Sequence, residues 1–195
     1  LIGTQMVTKG LDFEYVSLVG VMSADMLMAY PDFRAAERAY QLMMQVAGRP
    51  GRIHKQGRVL IQTYQPEHRI IHHILHGSQD QFIKEELYER KAFSYPPFFR
   101  MIKISVKHKK PDVLNDAAKI LATELQKSLH HRVLGPSIPY ISRIRGLYIL
   151  DLMIKIERSP KLLAKAKNII HDRSLYVKSI KGLTTVRINI DVDPM

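Results

Sequence analysis

The chain has 195 residues, with 30 Lys+Arg against 18 Asp+Glu, a formal net charge of +12 and no cysteine. This length supports one large or two small domains with cores of their own. The lack of cysteine excludes disulfides, thiolate metal sites and cysteine nucleophiles within these residues, and no apolar run reaches membrane-spanning length.

The first part reads as α/β. Leu1 to Thr4 ends a strand, and Val16 to Val21 is a short apolar run of the kind that forms a buried parallel strand. Phe33, Ala36, Tyr40, Met43 and Met44 recur at helical spacing up to Ala47, and Gly48 stops the pattern. A second strand follows from Arg58 to Thr63, then helices from about Glu67 to Leu75 and from Gln79 to Lys91. Strands alternating with helices predict a parallel sheet. Met22, Met26, Met28, Met43 and Met44 are expected to fill core gaps. His72, His73 and His76 are read as ordinary helix histidines rather than metal ligands, since no carboxylate or cysteine completes the set.

Residues 92–99 carry Tyr95-Pro96-Pro97-Phe98, which stops any regular element and marks a junction between residues 1–91 and 100–195, with the aromatics packed inward at a rigid hinge. The pattern then resets. Ile102, Ile104 and Val106 alternate with Lys103, Ser105 and Lys107 as a half-buried strand, and Asp112 to Leu129 is an amphipathic helix. Val133 to Ile141 is an irregular strand interrupted by Pro136 and Pro139, and Leu147 to Ile156 is a regular one. Ser159-Pro160 caps and opens a helix to about Asp172, and Val186, Ile188, Ile190 and Val192 form the last strand. The order β-α-β-β-α-β predicts a split-βαβ, ferredoxin-like second domain.

Charge separates the two parts. Residues 92–195 hold 19 basic against 8 acidic side chains, whereas residues 1–91 hold 11 against 10. Such a concentration fits a nucleic-acid partner, although a basic patch also suits an acidic protein. Arg143 and Arg145, in a loop without a local carboxylate, are candidate DNA-phosphate contacts.

Gln45-Val46-Ala47-Gly48-Arg49-Pro50-Gly51-Arg52 follows Thr4-x4-Lys9-Gly10-Leu11-Asp12 by some thirty residues. Two arginines three apart, each after a glycine, can set two guanidinium forks against one polyphosphate. The pair of segments resembles motifs VI and V of superfamily 2 helicases. Together with Pro31-Asp32-Phe33-Arg34-Ala35, Gln56-Gly57-Arg58, Tyr95-Pro96-Pro97-Phe98 and Asp191-Val192-Asp193-Pro194, it resembles the primosomal protein N′ family of replication-restart helicases over the whole chain. The family usually has alanine where this chain has Pro50, which removes an amide donor there but keeps both arginines.

The resemblance implies the end of a second RecA-like lobe, an excised fragment beginning in mid-motif at Leu1, and a ferredoxin-like C-terminal domain. It implies ATP and Mg2+ as cofactors of the intact protein, with zinc held only upstream. Arg49 and Arg52 are then expected at the γ-phosphate, Gln45 at the attacking water or a phosphate oxygen, and Gly10, Asp12 and Gly48 beside the nucleotide. Thr4 and Lys9 are expected on the DNA. Lys161 and Lys165, near the start of the last helix, are expected to meet the acidic tail of single-stranded DNA-binding protein. Fork or single-stranded DNA and primosome proteins are the other implied partners, in the bacterial cytoplasm at the nucleoid and not at a membrane. The chain has no Gly-x4-Gly-Lys-[Ser/Thr] phosphate loop, so it is not expected to hydrolyse ATP alone. Another superfamily 2 translocase and a nucleic-acid or protein adaptor are the rival readings.

Overall fold

A computed structural model describes residues 17–29, 31–48 and 58–194. The chain divides into two compact units, Leu1–Glu89 and Arg90–Met195. In the first, β1 (Leu18–Val21) pairs in parallel with β2 (Arg58–Ile61), Leu18 opposite Arg58 and Val21 opposite Ile61. The sequence expected a strand buried on both sides. Instead the outward face is open, with Leu18 and Leu60 54% and 61% exposed, because nothing among the described residues covers it. The expected strand at Leu1 to Thr4 lies outside the described residues.

Three further elements close the core of this unit: α2 (Ala35–Ala47), α3 (Arg69–His76) and α4 (Gln79–Ala92). Ala39, Tyr40 and Met43 recur on one face of α2 and pack with Ile70, Ile71 and Phe82. Tyr40 stacks on Phe82 with ring centroids 4.2 Å apart. A short helix that periodicity did not announce, α1 (Ala24–Met28), buries Ala24. Met22 and Met26 are exposed rather than in the core, whereas Met43 is buried and Met28 and Met44 are partly so. The histidines also depart from a uniformly solvated set. His73 is buried, with Nδ1 2.8 Å from Ser78 Oγ and Nε2 2.9 Å from Glu85 Oε2. His72 and His76 stack on the outer face of the helix. Gly77, at φ 62, ends α3 in the left-handed conformation that glycine adopts without strain.

The second unit follows the predicted order with one addition, a two-residue strand at Arg143–Ile144 inside the expected loop. It comprises β3 (Phe99–His108), α5 (Pro111–Leu129), β4 (Val133–Ser137), β5 (Arg143–Ile144), β6 (Leu147–Glu157), α6 (Pro160–Ser179) and β7 (Arg187–Val192). The strands run β4-β6-β3-β7, all pairs antiparallel, and the two-residue β5 adds to β6. Alternation puts Ile102, Ile104 and Val106 of β3 and Leu152, Ile154 and Ile156 of β6 on one face, all at 0% exposure. They pack with Leu121 and Leu125 of α5 and Ala166 and Ile170 of α6. Full burial stabilises each large aliphatic by roughly 1.5–3 kcal/mol. The irregular strand ends at Ser137 rather than Ile141, and the last helix runs on to Ser179. As an edge strand, β7 leaves Ile190 and Val192 44% and 43% exposed. Among the described residues no helix is long and apolar enough to cross a membrane.

Candidate nucleic-acid interface

The antiparallel registers gather distant basic residues at one end of the second unit's sheet. Tyr148, at the start of β6, stands between Arg143 of β5 and His108 at the end of β3. One position further in, Lys107 of β3 stands opposite Arg187, the first residue of β7. Lys109 and Lys110 continue from β3 as exposed residues. The Arg143 guanidinium lies over the Tyr148 ring, 4.8 Å from its centroid, which orients the cation without neutralising it. His108 Nδ1 accepts from the Lys110 amide at 3.1 Å, and its Nε2 lies 3.1 Å from Thr185 Oγ1.

The turn between β5 and β6 is Arg145-Gly146, with φ 49 and 78. Positive φ at both central residues is what a two-residue type I′ hairpin turn requires. Asparagine or aspartate usually takes the first position; here an arginine does, and it stands exposed at the tip.

The electrostatics of the two ends differ. At the far end Arg132 grips Glu157 through two bonds of 2.8 Å, and Arg100 pairs with Asp193. Hydrogen bonding from Arg132 is the main reason that the Glu157 carboxyl is held below its ordinary value. Lys155 is held too: its Nζ donates to the Phe93 carbonyl at 2.6 Å and lies 3.7 Å from the Tyr95 ring centroid, and burial lowers its pKa. Tyr95 is half-buried, with this cation over its ring. At the near end, by contrast, Lys107, Lys109, Lys110, Arg143, Arg145 and Arg187 form no ion pair among the described residues. Unneutralised cations fixed on a sheet end form a surface suited to a polyanion.

Of the residues the sequence singled out, Arg143 and Arg145 fall at this end. Lys161 and Lys165 are exposed on the first turns of α6, but Leu162 and Leu163 between them pack against the core and are only partly available as an apolar shelf. Ser159 occupies the helix start as predicted, its hydroxyl accepting from the Leu162 amide at 3.4 Å. In the first unit Gln45 is exposed on the last turn of α2. Gly48 caps that helix at an ordinary φ of −77, and a Cβ there would meet only Met44 and Gln45 oxygens at 3.7 and 3.8 Å. Nothing among the described residues demands glycine at that position. Thr4, Lys9, Gly10, Asp12, Arg49 and Arg52 lie outside the described residues. Sequence reasoning missed Lys107, Lys109, Lys110 and Arg187 as partners of Arg143, although the run Lys107-His108-Lys109-Lys110 was a visible charge cluster.

Residues 91–195 match the family described as Primosomal protein N C-terminal domain. Over 196 residues the chain is 38% identical to Replication restart protein PriA of Bacillus subtilis, covering all of this chain and 24% of that protein. It is 36% identical to the protein of that name in Treponema pallidum over 197 residues, covering all of this chain and 29% of that protein. For Thermotoga maritima the identity is 37% over 187 residues, 95% of this chain and 24% of that protein. The chain spans about a quarter of the length of these curated relatives. With more than half of its residues matched to the family and its sheet and helices intact over that match, the chain belongs to the Primosomal protein N C-terminal domain family.

Proposed function

We propose that this chain is the C-terminal part of an ATP-dependent DNA helicase of replication restart, and that its second unit is a DNA-binding module. The observation that carries the DNA-binding reading is the row of cations at the Arg143 end of the sheet, without an ion pair among the described residues, set against the ion-paired far end. The strand order β4-β6-β3-β7 supports reading the second unit as a split-βαβ, ferredoxin-like domain, and the parallel pair β1-β2 with its helices suits the end of a RecA-like lobe.

In the intact protein Arg49 and Arg52 would face the γ-phosphate of ATP-Mg2+, offsetting charge that develops in phosphoryl transfer. Gln45, exposed at the end of α2 just before them, would order the water or a phosphate oxygen. Gly10 and Asp12 would line the nucleotide, and Thr4 and Lys9 would contact DNA. Unwinding 3′-to-5′ at stalled forks, primosome assembly, and contact of Lys161 and Lys165 with single-stranded DNA-binding protein belong to the same reading, which places the protein in the cytoplasm at the nucleoid.

The test is binding of labelled duplex to the full chain across a salt series. Wild type binds without sequence preference, and log affinity falls linearly with log salt, by about 0.9 per phosphate neutralised. Arg143→Glu/Arg145→Glu weakens binding and flattens the slope by about two. An unchanged slope would show that DNA does not bind at this end of the sheet.

A further inference from the structure

The connection from β4 to β6 holds large side chains in water. Every residue from Tyr140 to Gly146 is exposed, with Tyr140 at 88%, Ile138 at 75% and Ile141 at 59%. Tyr140 makes no hydrogen bond or ring contact among the described residues. An aromatic and two branched aliphatics grouped on one loop, rimmed by cations, are the composition of a contact site rather than of a connection. The loop is held on both sides: Ser137, just before it, pairs with Asp151 of β6, and within its second half the Ile149 amide donates to the Ser142 carbonyl at 2.9 Å.

What would occupy it follows from its neighbours. Arg143 and Arg145 lie three and five residues beyond Tyr140 and form no ion pair among the described residues, so an occupant carries negative charge beside an apolar or π surface. A closed duplex supplies the charge but keeps its base faces stacked inside. An unpaired nucleotide supplies both, and aromatic side chains bind such bases by stacking without regard to sequence. Resting on the DNA-binding reading above, we infer that the loop 138–146 receives an unpaired nucleotide, with Tyr140 stacked on its base and the arginines on the adjoining phosphates. The site therefore takes DNA with a single-stranded stretch in preference to blunt duplex.

The chain contains no tryptophan, so Tyr140→Trp introduces a sole tryptophan, which can be excited apart from the remaining tyrosines. With the full chain, its emission should be quenched by a duplex carrying an oligothymidine tail and scarcely altered by the same duplex with blunt ends. Tyr140→Ala should weaken binding of the tailed duplex about tenfold and leave the blunt one unchanged, and Tyr140→Phe should restore the loss. Equal effects on both DNAs, no effect on either, or a tryptophan that responds to anionic lipid vesicles and not to DNA would overturn the inference. If Arg143→Glu/Arg145→Glu weakens duplex binding while Tyr140→Ala does nothing, the DNA-binding reading stands and this one falls. A wild-type chain that binds neither DNA would bring down both.

Discussion

Gly135 offers a test of the second unit's packing, because two separable penalties meet there. It lies in β4 at φ 97, within the irregularity between Leu134 and Ser137 where the register against β6 shifts. A Cβ would stand 2.8 Å from the Asp151 carbonyl oxygen, 3.2 Å from the Ser137 amide nitrogen and 3.4 Å from Leu152 Cα. All three are backbone atoms, and Asp151 and Leu152 belong to β6, which is paired on both sides. They cannot swing aside as a side chain would. Left-handed backbone at a non-glycine residue costs about 1–2 kcal/mol, and forced overpacking typically adds about 1–3 kcal/mol. Gly135→Ala is therefore expected to cost about 3 kcal/mol, a fall in Tm on the order of 10–20 °C for a unit of this size. Gly182 supplies the matched control, at φ 92 with no atom within 4 Å of its Cβ position. Gly182→Ala should show the backbone cost alone, about 1–2 kcal/mol. Urea and thermal unfolding of the two variants, followed by circular dichroism, measure the difference. If Gly135→Ala proves no worse than Gly182→Ala, the close approach of β4 to β6 is not as described.

The Arg132–Glu157 pair should make stability depend on pH in one direction. Because the folded carboxyl titrates below its ordinary 4.5, the stability it contributes is complete above that value and is lost as pH falls through the lower folded one. The stability gap between wild type and Arg132→Gln should be constant near neutrality and close below about pH 4.5; a gap independent of pH would contradict the pairing. Leu152→Ala, at a fully buried position in β6, is expected to cost about 2–5 kcal/mol in the same unfolding assay. In the intact protein, Arg49→Ala or Arg52→Ala should reduce DNA-stimulated ATP turnover by on the order of a thousandfold while changing ATP affinity less, and near-normal turnover in both would remove these residues from the chemistry. Lys161→Glu/Lys165→Glu should weaken binding of a peptide bearing the acidic tail of single-stranded DNA-binding protein; equal affinities would place that contact elsewhere.

How much the sequence disclosed depended on whether burial followed a simple period. Strands β3 and β6 were legible because their inward residues are almost uninterrupted Ile, Val and Leu, and the start of α6 because Ser159-Pro160 is a local signature independent of tertiary context. The far half of α6 was not legible: its buried stripe runs Ala166, Ile170, Ser174, Val177, and a serine at a core position breaks the apolar count. Likewise His73 takes an inward position three residues after Ile70, with Ser78 and Glu85 satisfying its ring nitrogens. Side-chain type alone could not distinguish it from its exposed neighbours. The interface was half visible. Arg143 and Arg145 stood out as a loop without carboxylates, but their neighbours come from β3 and β7, and only strand register brings those together. The nucleotide residues rest on motif resemblance, most of them outside the described residues.

Among the described residues one face of the β1-β2 pair is open, and this sets an order of local opening. Parallel strands are ordinarily covered on both sides, and here Leu18 and Leu60 meet solvent while Met43 and Ala24 guard the other side. Few apolar groups must be exposed to separate the two strands, whereas separating β3 from β6 uncovers a continuous set of fully buried aliphatics. Amides of Leu18 to Val21 should accordingly exchange with deuterium well before those of Ile102 to Val106. A protease acting on the whole chain should consume the first unit while the Arg90–Met195 unit survives.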